Sequence, residues 1–234
     1  MKPQSLDVKI KIEAFSRSLA RSYSPAGNNS PNDLKFAGLF HVPDFTYPTG
    51  PAQTITPDIW SDALNAKVLH TVATAQAFLS KVISCNARIL ILTPTIMSSL
   101  RPPFHGIESA VVGALEGFTS SLRGELAPLG VPVCRLKLGS FDHGSSAGRQ
   151  QLQHSQRSDI LSLPASVRAA YASNYLAQRA DAEGFRILSR QARGLKGSPL
   201  RELNNAVFDA LTDARPWSVQ RVGRGSLIYE LIGT

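Results

Sequence analysis

ARILILTPTIMSSLRPPFHGIESAVVGALEGFTSSLRGELAPLGVPVCRLKLG, residues 87–139, reads as strand, helix, strand. ARILILT (87–93) is apolar at almost every position, as a strand covered on both faces of a parallel sheet has to be. Residues 106–127 carry few charges and predict a well-buried helix. VPVCRLKLG (131–139) is the next strand. Two apolar strands joined by a helix of this length form a βαβ unit, whose crossover makes the strands parallel.

The pattern extends in both directions. Upstream, LKFAGLFHV (34–42) is a short apolar run of strand length, stopped by Pro43. A helix follows over 58–82, with Leu64, Val68, Leu69, Val72, Ala75 and Leu79 on one face. Thr56 or Asp58 is placed to cap it, and Pro57 suits its first turn. Residues 8–22 predict a further helix, and SPAGNNSPND (24–33) a loop. Downstream, residues 140–165 are rich in Ser, Gln, Gly and His and read as a flexible loop. Residues 165–193 read as a helix that becomes basic towards its end. SPLRELNNAVFDALTDA (198–214) is a helix capped by Ser198 with Glu202 nearby, and PWSVQRVGRGS leads into a last strand. The expected class is α/β: one domain over 1–234, a three-layer Rossmann-like parallel sheet with helices on both faces.

Composition narrows the partners. Apolar residues make up 43% and charged residues 18%, a globular balance. No run approaches the length of a membrane span. The net charge of +8 is divided unevenly, +2 over residues 1–134 and +6 over 135–234. Arg186, Arg190 and Arg193 share one helix face, and Lys196 and Arg201 follow. This basic stripe reads either as a solvated face or as a surface for an anionic partner such as RNA or acidic lipid. Residues 9–24, KIKIEAFSRSLARSYS, have the basic amphipathic texture of a mitochondrial presequence, but Asp7 and Glu13 favour a helix packed on the sheet. Cys85 and Cys134 are expected to be buried free thiols. The five histidines lack metal-ligand spacing, and no Gly-x-Ser-x-Gly elbow accompanies Ser, His and Asp.

EGFTSSLRGELAPLGVPVCRLKLGSF (116–141) resembles the run from active-site helix into strand of the short-chain dehydrogenase/reductase (SDR) superfamily. WSDALNAKVLHTVATAQAFLSKV is similar to that family's Trp-initiated helix, and ARILILTPT to the strand ending in its catalytic serine. SPLRELNNAVFDAL and VGRGSLIYELI are similar to the last helix and strand. Within the superfamily the chain looks most like a fungal family with divergent motifs. The resemblance implies a nicotinamide-dependent oxidoreductase fold, with dimerisation through the 58–82 and 106–127 helices.

The chemistry does not follow the fold. An SDR uses a Tyr whose acidity is raised by a Lys four residues on, with a Ser and an Asn completing the set. Registered on SLRGELAPLG, those positions hold Glu108 for Tyr, Val112 for Lys, Thr95 for Ser and Lys67 for Asn. None of the five tyrosines has a Lys four residues later. Lys67 and Glu108 become a possible ion pair across the old active site. The family's Asn-Asn-Ala-Gly becomes His41-Val42-Pro43-Asp44, and its Pro-Gly becomes Leu138-Gly139, so Gly139 is the single weak cofactor-binding candidate. The glycine fingerprint and the first three strands have no counterpart. The expectation is therefore a non-catalytic SDR-like interaction module with an open edge on the 34–42 strand. NADP or NAD would bind only if a longer protein supplied the missing half. The competing readings are a divergent oxidoreductase of that longer protein and an anion binder acting through the 186–201 stripe.

Overall fold

The computed structural model describes residues 36–43, 50–99, 101, 103–139, 141, 164–166, 168–170, 198–227 and 231. The expected 8–22 and 165–193 helices, the presequence-like segment, the body of the 140–165 loop, and Arg186, Arg190, Arg193 and Lys196 lie outside these residues or almost wholly so.

Four strands form one parallel sheet in the order β1-β2-β3-β4: β1 (Gly38–His41), β2 (Arg88–Pro94), β3 (Val133–Leu138) and β4 (Val219–Val222). The central pair is longest in register, from Ile89 opposite Val133 to Pro94 opposite Leu138. Ile89, Leu90, Ile91 and Leu92 are all buried, which is why this strand shows no apolar alternation. Among the described residues no strand pairs with the outer edge of β1.

Period-two alternation then sorts the strands between two layers of helix. On one face Ile89, Ile91 and Val133 pack against Phe78 and Val82 of α2 (His70–Ser84) and Leu122 and Leu126 of α4 (Gly106–Leu126). On the other face Leu90, Cys134, Leu136 and Val222 receive Ala206 and Ala210 of α5 (Leu200–Thr212). A third cluster joins Ile107, Val111 and Leu115 of α4 to Trp60 and Ala63 of α1 (Pro57–Leu64) and to Val68. A short helix, α3 (Thr95–Ser99), directly follows β2. The three layers match the architecture expected from the sequence.

Several local expectations change. The 58–82 helix is not one regular helix: α1 and α2 are joined by a π turn over Asn65–Leu69, in which the His70 N–H reaches back to Asn65 O. Thr56 holds the N-cap position and Pro57 the first helical position, but no side chain caps the end. Ser198 does not cap α5 either. The cap position falls to Pro199, whose extended backbone starts the helix one residue later, and Ser198 is drawn into a parallel bridge with Phe141. Cys134 is buried as expected, whereas Cys85 is exposed because it closes α2 in the turn ahead of the strand.

Candidate functional site

In an open α/β sheet, ligands bind outside the carboxyl ends of the strands. That edge collects His41 at the end of β1, Thr93 and Thr95 at the end of β2, and Gly139 after β3. The π turn with Lys67 and the first turn of α4 with Glu108 belong to the same structural unit, since α1, the π turn and α4 pack together.

The four residues that the resemblance assigns to the tetrad sit in very different surroundings. Thr95 is fully buried, and its Oγ1 makes no hydrogen bond among the described residues. Glu108 is only 4% exposed, and its Oε2 lies 3.1 Å from Nδ1 of His105, the residue capping α4. A carboxylate in a first helical turn is favoured by the helix dipole, which helps explain an acid so deeply placed. Val112, one turn further on, has no exposed surface at all. Lys67 is half-buried on the π turn, and its carbonyl accepts the Thr71 hydroxyl at 2.6 Å. One partner that this geometry gives Glu108 is His105, a residue the sequence reading had not tied to it.

The loop before α4 is strained. Arg101 (φ 44°) and Phe104 (φ 67°) both adopt left-handed backbone, and the Phe104 carbonyl is held by the Gly50 N–H at 2.9 Å. Non-glycine residues in that region cost on the order of 1–3 kcal/mol each, and they concentrate at functional sites.

Gly139 has a packing explanation. A Cβ there would lie 2.4 Å from Arg224 O and 2.8 Å from Gly223 O. Its N–H donates to Val222 O at 2.7 Å, so the glycine lets the ends of β3 and β4 close on each other. Gly223, at φ +89°, faces the Phe141 ring at the same corner.

Beneath the edge, Glu116 Oε1 of α4 lies 3.3 Å from Arg135 and 3.6 Å from Nζ of Lys137. Lys137 is buried and stands opposite Thr93 in the β2–β3 register. These charges tie the helix to the sheet. Among the described residues no cluster of His, Cys, Asp and Glu could hold a metal ion, and no helix is long and apolar enough to cross a membrane.

Sequence inspection named His41 only as the first residue of a lost motif and gave it no role. Its Nε2 is 2.9 Å from Thr71 Oγ1 of α2. Burial first, and then the charge of His70, pushes its pKa below the ordinary histidine value. The signal available was its position at a strand end. Its partner 30 residues on was not readable. Of the basic stripe, Arg201 is described, exposed in the first turn of α5.

Similar architectures occur among solved structures. NAD+-bound xylitol dehydrogenase superposes with a TM-score of 0.65 at 18% identity, covering 92% of this chain and 74% of that one. A short-chain dehydrogenase from Streptomyces avermitilis gives 0.61 at 14% identity, over 95% and 70%. A short-chain oxidoreductase from Pseudomonas aeruginosa, described as containing an atypical catalytic center, gives 0.56 at 18% identity, over 92% and 71%. At these identities the likeness establishes the SDR-like Rossmann fold. No curated protein matches the sequence. Residues 2–234 match a single family throughout, and the chain belongs to the fungal family of unknown function DUF1776.

Proposed function

We propose that this divergent SDR-fold protein has given up tyrosine–lysine hydride transfer and acts by binding, at the carboxyl edge of its sheet and through contact with protein. The observation that carries the reading is Val112. In SDR chemistry the lysine must stand beside the ligand in an open cleft to acidify the tyrosine. Here that position holds a branched apolar side chain without exposed surface, one turn from a carboxylate turned towards His105. Partner contact includes a homodimer through the 57–84 and 106–126 helices, a reading supported by the exposure of Ile59, Leu64 and Leu69. The test is incubation of the purified chain with NADPH or NADH and a panel of aldehydes and ketones, following cofactor absorbance. The expected result is no oxidation above that of cofactor alone. Turnover that disappears in Glu108→Gln overturns the proposal.

The second reading is a divergent oxidoreductase that uses other residues and takes NADP or NAD. The contact of the buried Glu108 carboxylate with the partly exposed His105 imidazole favours it as an acid/base couple. The Pseudomonas aeruginosa relative is a precedent for an atypical centre on this fold. Saturable NADPH binding together with carbonyl turnover selects this reading. Neither activity is needed by the first.

A further inference from the structure

The hydrogen bonds joining His41, Thr71 and Lys67 have a direction that can be worked out. Thr71 Oγ1 lies 2.6 Å from Lys67 O and 2.9 Å from His41 Nε2. A carbonyl oxygen only accepts, and a threonine hydroxyl has one proton, so Thr71 donates to Lys67 O. Its oxygen must then accept from His41, which requires the proton on Nε2. Thr71 is 1% exposed, so bulk water does not compete for that oxygen. The imidazole is thereby locked as its Nε2–H tautomer, and Nδ1 keeps its lone pair. Among the described residues the ring's hydrogen-bond partner is Thr71, and nothing there engages Nδ1.

The π turn belongs to this arrangement. It displaces the backbone bonding of the helix, sending the His70 N–H to Asn65 O, and the carbonyl of Lys67 within it accepts the Thr71 hydroxyl. π turns of this kind recur at functional sites. The His41 ring is half-buried at the carboxyl end of β1, the edge where α/β sheets take ligands.

We propose that His41 Nδ1 is the hydrogen-bond-accepting group of this edge, and that it takes a neutral ligand presenting a hydroxyl or amide proton. An anion would meet a lone pair and gain nothing from it. A neutral donor completes the imidazole without moving its proton. The proposal deepens the binding reading above and rests on it for the existence of a ligand.

The test uses the whole chain with 15N-labelled histidine and long-range 1H–15N spectra, with His41→Gln to assign the ring. Phenol serves as the donor probe, and anisole as its O-methylated counterpart without the proton. The expected result at neutral pH is a neutral Nε2–H ring whose Nδ1 resonance moves saturably with phenol and not with anisole. Thr71→Val should release the tautomer and weaken the phenol response roughly fivefold to tenfold. Thr71→Ser, which keeps the hydroxyl, should preserve both and guards against a mere folding defect. An Nδ1–H ring, an imidazolium, or a phenol response that is absent or matched by anisole overturns the proposal. Carbonyl turnover with the phenol response intact refutes the non-catalytic reading and leaves this one standing. Loss of the response without turnover refutes this one alone.

Discussion

Placing a lysine at position 112, where the resemblance puts the SDR lysine, should damage the protein. Val112 has no exposed surface, so Val112→Lys forgoes about 1.5–3 kcal/mol of apolar burial. An ammonium kept in the interior adds several kcal/mol of desolvation. Glu108, one turn back on the same face, returns part of that, and the flexible stem relieves more by reaching towards water. A net loss of about 3–5 kcal/mol is the expectation, a large share of the roughly 5–15 kcal/mol available to a domain. Urea titration followed by circular dichroism should show a midpoint about 1–2 M lower. Val112→Met separates length from charge, since overpacking alone costs about 1–3 kcal/mol. The lysine variant should also recover as pH rises towards 10, because a buried amine is neutral in the fold while the unfolded chain still binds the proton. A lysine variant within about 0.5 kcal/mol of wild type, with no such recovery, would refute the reasoning. The position would then open onto water, and the case for a closed active site would fall with it.

Three further outcomes follow from the same geometry. Gly139→Ala should cost at least about 3 kcal/mol in chemical denaturation, because its Cβ would meet backbone oxygens that cannot swing away. Mapping of maleimide adducts by mass spectrometry should show Cys85 modified quickly. Cys134, buried and with its thiol pKa raised by that burial against the opposing pull of Arg88 and Arg123, should react only on unfolding. His41, whose pKa is lowered in the fold, binds its proton less readily there than in the unfolded chain. Stability should therefore be unaffected by this group well above pH 6.5 and fall as pH drops below it, a slope that His41→Gln removes in pH-dependent thermal melts.

The parallel sheet was legible because β2 and β3 are apolar throughout, a pattern that only two-sided burial explains. The burial of the 106–126 helix was legible in its scarcity of charge, and Val111, Leu115, Leu122 and Leu126 are indeed buried. The π turn was invisible. Its residues, NAKVL, are ordinary helix formers, and what accompanies it is a hydroxyl four residues on and a histidine on another element. Ser198 misled for the opposite reason. Its local signal as a cap was strong, but a tertiary bridge to Phe141 outweighed it. The assignment of the tetrad positions rests on the resemblance alone. The turn of Glu108 to His105, three residues earlier and so at helical spacing, could have been read from the sequence but was not.

Two arginines bear on how the chain reaches this structure. Arg88, at the start of β2, donates to the carbonyls of Ala210 and Asp213, the latter 125 residues away. Arg123 bridges Val133 O and Ser218 O, both at 2.8 Å. The clamps on the middle of the sheet thus wait for the region near residue 218. During synthesis at about 5–20 residues per second, β2 emerges roughly 6–25 s before its distant carbonyls do. For that interval the sheet face that α5 will cover is bare. Contacts of such separation make folding slow. A mutation at Arg88 should therefore reveal itself in soluble yield before it does in the finished protein.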